Sequence, residues 1–201
     1  MHYTAYRKDM KFTLLFCGLF VVAMPSTIFA ELPQDGKSNA VTNAVILVIR
    51  HAEKPAKGDG LAPAGKARAK AYVNYFKNYT VDGQPLKFDH LFAAADSKQS
   101  HRARLTLEPT SKKLGLAIDC QFEDEQFQKL ADEIRTKLQG KNILICWHHG
   151  EIPQLVKALG ADSDQLLRKG KWPDAVYDWV IELRYDSDGR LVGARRINEN
   201  F

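Results

Sequence analysis

Cysteine is scarce in this chain, three in 201 residues, and one of the three, Cys17, lies in an N-terminal stretch unlike the rest. The other two, Cys120 and Cys146, are too few for a disulfide framework. Both fall in or beside apolar runs that read as strands, where free, buried thiols are expected. Internal repeats and low-complexity tracts are absent. The longest apolar run, "FTLLFCGLFVVAM" (Phe12 to Met24), is short for a membrane span. Net charge is also small: 29 Lys and Arg against 24 Asp and Glu give +5, too little to argue for nucleic acid as a partner. Histidine numbers six. None has a carboxylate or histidine at helical i, i+4 spacing, so no metal site is expected. What remains is an ordinary globular composition, 45% apolar and 26% charged, of a length that suits one domain.

The first 30 residues follow a different logic. Arg7, Lys8 and Lys11 precede the apolar run, and "PSTIFA" leads to the small residue Ala30. That order is a secretory signal, so residues 1–30 are expected to be removed and the mature chain to be periplasmic or secreted, with no stable membrane association. Removal takes three bases and one acid and leaves 26 against 23, a net charge of +3. Glu31 to Thr42 reads as a polar lead-in, and residues 43–199 as the folded domain.

Within that domain, short apolar runs alternate with helical periodicity. "VILVIR" (Val45 to Arg50) reads as a buried strand, followed by a helix over Leu61 to Tyr79. "FDHLFAAA" (Phe88 to Ala95) is a second strand, and Ser100 to Gly115 a helix that Pro109 starts late or kinks. "LAIDC" (Leu116 to Cys120) is a third strand. In Glu123 to Gly140, Phe127, Leu130, Ile134 and Leu138 recur at three and four, with acids early, bases late and a terminal glycine. "KNILICW" (Lys141 to Trp147) and "IPQLVKALG" (Ile152 to Gly160) repeat the alternation. Four strand–helix pairs imply a parallel sheet with right-handed crossovers and helices on both faces. Tyr177 to Asp186 and Arg190 to Ile197, joined by "SDG", read as a hairpin. The expected fold is therefore α/β, a three-layer α/β/α sandwich with a mostly parallel sheet and a C-terminal antiparallel hairpin.

Sites in such sheets form beyond the carboxyl ends of the strands. Arg50 and His51 end the first strand. Asp96, Ser97, His101 and Arg102 follow the second, and Trp147, His148, His149, Gly150 and Glu151 stand at a later tip. Two arginines with two imidazoles suit a phosphoryl group, because guanidinium forks match its oxygens in pairs and stay charged. A neutral imidazole held by one nitrogen is nucleophilic at the other, and nearby arginines keep it unprotonated. His90 and His101 read as structural or exposed, and Trp147 and Trp172 as core or pocket wall.

At these residues the chain resembles the histidine phosphatase superfamily. "VIRHAEKP" looks like the start of its Arg-His-Ala-Glu-Lys group. Ser97 with "RARLTLEP" (Arg102 to Pro109) resembles the second signature, although the gap from Ser97 to Arg102 is one residue longer. "ILICWHHGEIPQLVKALG" (Ile143 to Gly160) resembles the third. The resemblance implies that His51 is the phosphoacceptor and that Arg50, Arg102 and His148 complete the phosphate pocket. It implies a carboxylate acid in the loop after the third strand, where Glu123, Asp124 and Glu125 stand, with Asp124 at the matching step from Phe122; Glu151 is the rival. The implied activity is hydrolysis of small-molecule phosphate monoesters without metal or cofactor. A mutase would need a lid, and only 45 residues separate Arg102 from His148. A noncatalytic phosphate-binding or scaffold protein is the alternative from another class. The segments Lys54 to Leu61 and Arg168 to Asp178 are expected to border the pocket mouth; the second adds Arg168, Lys169 and Lys171 beside Trp172, which reads equally as a site for an anionic or sugar-containing ester or as a solvated basic loop.

Overall fold

The computed structural model describes residues 1–2, 40–167 and 169–200. The chain divides into two units, Met1–Asp35 and Gly36–Phe201, and all the elements below lie in the second. The expected signal segment, apart from Met1 and His2, and the expected mouth residue Arg168 lie outside the described residues. Among the described residues no helix is long and apolar enough to cross a membrane.

The first strand, β1 (Ala44–Arg50), is buried from Ile46 to Arg50, as a continuous apolar run requires of a strand covered on both faces. Helix α1 (Pro63–Lys77) opens with a proline at its first position, where no N–H is needed, and buries Gly65, Ala69, Tyr72 and Phe76 along one stripe. A two-residue pair of strands follows, β2 (Thr80–Val81) and β3 (Gln84–Pro85), turned by Asp82 and Gly83, both at positive φ. This Asp-Gly turn has a familiar hairpin signal that the longer apolar patterns overshadow. Next come β4 (His90–Ala93), α2 (Arg102–Leu114) and β5 (Ile118–Asp119). A single 3₁₀ turn, Asp124–Gln126, leads into α3 (Phe127–Lys137). The chain continues through β6 (Ile143–Trp147), α4 (Ile152–Ala158), the four-residue α5 (Ser163–Leu166), β7 (Trp179–Tyr185) and β8 (Leu191–Asn198).

Pro109 does not delay the start of α2, which runs through it as one element from Arg102 to Leu114 and is capped by left-handed Gly115. Proline removes only one backbone donor, and the buried Thr106, Leu107 and Thr110 on either side of it hold both halves against the core.

The six main strands form one sheet in the order β5-β4-β6-β1-β7-β8. β5, β4, β6 and β1 are parallel, and β7 and β8 add the antiparallel edge. The chain steps outward from β1 to β4 and β5, then back to β6 between them. Right-handed crossovers therefore put α1 and α2 on one face and α3 on the other; α1 packs on α2 and α3 on α4. The reversal sets the carboxyl ends of β4, β6 and β1 side by side, the place where a site is expected.

Candidate active site

Arg50 is the last residue of β1 and is fully buried. Its Nη1 donates to three backbone carbonyls of one loop, Pro173 at 3.2 Å, Asp174 at 2.7 Å and Val176 at 2.9 Å. Its Nε and Nη2 are buried and find no partner among the described residues. Burial pushes its pKa below the ordinary value, opposed by Tyr177, Asp174 and Glu53.

His51 follows, 2% exposed. Its Nδ1 lies 2.7 Å from the carbonyl oxygen of Ala52; a carbonyl only accepts, so Nδ1 carries the proton and Nε2 is left with its lone pair. Burial is the main cause that pushes the His51 pKa down to about 3, with His148, Arg50 and Arg102 adding to it against the Ala52 hydrogen bond. The ring is therefore neutral at physiological pH. Its backbone N–H donates to the Trp147 carbonyl at 3.0 Å, which locks the tip of β1 to that of β6.

His148 leaves β6 at that point, and its ring stands edge-on to His51 with centroids 5.0 Å apart. Burial lowers its pKa, opposed by the charge of Asp124 and assisted by Arg102, His149 and Arg50. Arg102 is the first residue of α2. It reaches the Gly58 carbonyl at 3.4 Å, and its Nε is buried without a partner among the described residues; burial lowers its pKa as well. Arg50, His51, Arg102 and His148 are thus brought together.

The extra residue between Ser97 and Arg102 is absorbed by a tight turn in which Ser97 and Ser100 exchange backbone hydrogen bonds at 2.9 and 3.3 Å. Ser100 rather than Ser97 then meets the helix, accepting from the Arg102 N–H at 3.3 Å. One hydroxyl ties this helix to the loop that follows His51. Thr106, fully buried on the next turn of α2, accepts from the Ala52 N–H at 2.9 Å and donates to the Arg102 carbonyl at 2.8 Å.

A cleft of about 1050 Å³ opens beside this group, lined among others by Arg102, His148, Asp59, His101 and Asp124. Asp124 is positioned by its neighbour in space, since the Trp147 indole N–H donates to the Asp124 carbonyl at 2.9 Å. Glu151 does not line the cleft. Its carboxyl is raised above the ordinary range by burial and by the charges of Asp124 and Glu125.

His101, read as structural or exposed, bridges Asp59 at 3.1 Å and Asp96 at 3.0 Å at the cleft wall. One expectation is corrected: Cys120 is free but only half-buried, whereas Cys146 is free and fully buried. In the second mouth segment Lys169 and Lys171 are exposed, and the carbonyls of Pro173, Asp174 and Val176 and the Tyr177 ring approach Arg50. His149, the neighbour passed over in favour of His148, is engaged with Asp174 of that segment at 2.8 Å. Among the described residues no group of three His, Cys, Asp or Glu side chains is arranged to hold a metal ion.

By sequence the chain matches no protein-family model and no curated protein. By structure it is similar to the protein histidine phosphatase SixA, solved with tungstate: 17% identity, TM-score 0.50, covering 77% of this chain and 96% of that one. It is similar also to a phosphoserine phosphatase from Entamoeba histolytica, solved as a mutant with phosphoserine: 12% identity, TM-score 0.51, covering 75% and 96%. At such identities the likeness is one of fold alone.

Proposed function

We propose that this chain is an exported phosphatase that hydrolyses small phosphate monoesters through a phosphohistidine at His51. The observation that carries the reading is His51 itself: a buried, neutral imidazole fixed by Nδ1 to the Ala52 carbonyl, with His148 and two arginines bearing unpartnered donors around it. Nε2 attacks phosphorus in line with the ester oxygen; the P–N bond forms as the P–O bond breaks. Arg50, Arg102 and His148 hold the equatorial oxygens, over which charge spreads. Asp124 gives its proton to the leaving oxygen, then as carboxylate takes a proton from the water that cleaves the phosphohistidine. The open cleft beside His148 admits that water, which favours hydrolysis over return of the phosphoryl group to a bound product.

The test is phosphate release from a panel of monoesters by wild type and by His51→Ala. The variant should lose turnover and keep the wild-type melting temperature. Ordinary turnover in the variant would sink the mechanism. Export rests on the N-terminal sequence alone, and the mass of the mature protein should place its first residue at or near Glu31; an intact Met1 or Met10 would overturn it.

A further inference from the structure

Tyr177 takes no part in the transfer steps above, yet its ring centroid lies 3.9 Å from the Arg50 guanidinium carbon and 6.3 Å from the His51 ring centroid. Arg50 is a cation with no exposed surface, and no carboxylate stands within ion-pair distance of it among the described residues. A buried charge without compensation is costly. Here the compensation comes from one segment, the carbonyls of Pro173, Asp174 and Val176 on Nη1 and the ring of Tyr177 on the guanidinium face.

The geometry of that compensation matters. All five guanidinium N–H groups lie in its plane and none points out of its face. A carboxylate partner would occupy the fork; a stacked ring occupies the one direction that has no donor. The Nε–Nη2 edge, which matches two phosphoryl oxygens, is thereby left without a protein partner. The ring is also held on a braced backbone. The Trp172 indole N–H donates to the Val176 carbonyl at 2.8 Å, and the Glu199 N–H to the Asp178 carbonyl at 2.7 Å. Asp174 is tied to His149 at 2.8 Å.

We propose that Tyr177 is a positioning residue for oxyanion binding, its ring holding the Nε–Nη2 edge of Arg50 free for two oxygens of the bound phosphoryl group. The inference rests on the phosphatase reading and adds to it a residue that no signature contains.

The experiment measures the Kd of inorganic phosphate and of tungstate by calorimetry, KM and kcat for an aryl phosphate, and the melting temperature. Tyr177→Phe, Tyr177→Leu and, should the leucine variant not fold, Tyr177→Met are compared with wild type. A desolvated cation–π contact corresponds to roughly a tenfold change in affinity. Loss of the ring should therefore weaken both oxyanions and raise KM about tenfold, while Phe stays within about twofold of wild type. Combined with Arg50→Lys, which has no planar fork to hold, the leucine substitution should add little. Oxyanion affinity unchanged in the leucine or methionine variant overturns the proposal, as does a Phe variant as weak as leucine, or a full additional loss on Arg50→Lys. Wild-type protein that binds neither oxyanion overturns the phosphatase reading together with this one, and is distinguished from the other outcomes because it is seen before any substitution.

Discussion

At the scale of single residues, the pocket owes its chemistry to which atoms are already engaged. His51 spends Nδ1 on Ala52, and Arg50 spends Nη1 on a loop, so each keeps a defined edge for the ligand. Asp124, the proposed acid, lines the cleft beside His148. Asp124→Asn should therefore slow esters with poor leaving groups by about two to four powers of ten, and activated aryl esters far less, since these depart without a proton. Glu151→Gln should give a mild loss independent of the leaving group. Rates on an alkyl and a nitrophenyl phosphate check both, and a selective penalty at Glu151 would transfer the acid's role to it.

At the scale of elements, strand tips and helix starts are coupled by single buried contacts. Thr106 on α2 holds the Ala52 N–H, and Ala52 in turn holds the His51 ring. Thr106→Val keeps the shape and removes the acceptor, leaving a buried N–H unsatisfied at a cost of about 1–3 kcal/mol. A melting temperature lower by several degrees is expected, with a fall in kcat beyond the fraction unfolded; unchanged kcat would mean that the loop holds His51 without it. Gly65 is a second such contact, since a Cβ there would stand 2.5 Å from the Glu53 carbonyl oxygen just past the nucleophile.

These couplings also mark the limit of what periodicity can convey. The runs at β1, β4 and β6 and the stripe of α3 are legible because burial on both faces, or on one, imposes a pattern of apolar residues. Arg50, His51, Arg102 and His148 are legible because each sits at a predicted tip. Thr106 is legible only as the threonine of the second signature, without its hydrogen bonds, and Tyr177 stands out far less, since a ring that covers a guanidinium has no spacing of its own. The Asp124 backbone is held by Trp147, 23 residues away in the chain, and only the folded sheet brings the two together.

At the scale of the whole molecule, two buried groups tie stability to pH in opposite directions. His51 has its pKa lowered from 6.5 to about 3 on folding, so the unfolded chain binds the extra proton. Its contribution is complete above pH 6.5 and is lost as pH falls toward 3. Glu199, buried between Arg68 and Tyr72, is raised from 4.5 to about 7, chiefly by burial. Its contribution is complete below pH 4.5 and is lost as pH rises toward 7. Denaturant melts between pH 7 and pH 4.5 should therefore show a smaller loss on acidification in His51→Asn than in wild type, and a larger one in Glu199→Gln. Parallel curves for all three would contradict the assigned protonation states.

The central claim is that His51 accepts the phosphoryl group. It is tested most directly by quenching the protein in alkali during turnover of a labelled phosphate ester and mapping the label by mass spectrometry. The account predicts an alkali-stable, acid-labile phosphate on His51 that is absent from His51→Ala and accumulates in Asp124→Asn with an activated ester. Phosphate release from wild type with no label on His51, or with label on another residue, would contradict it.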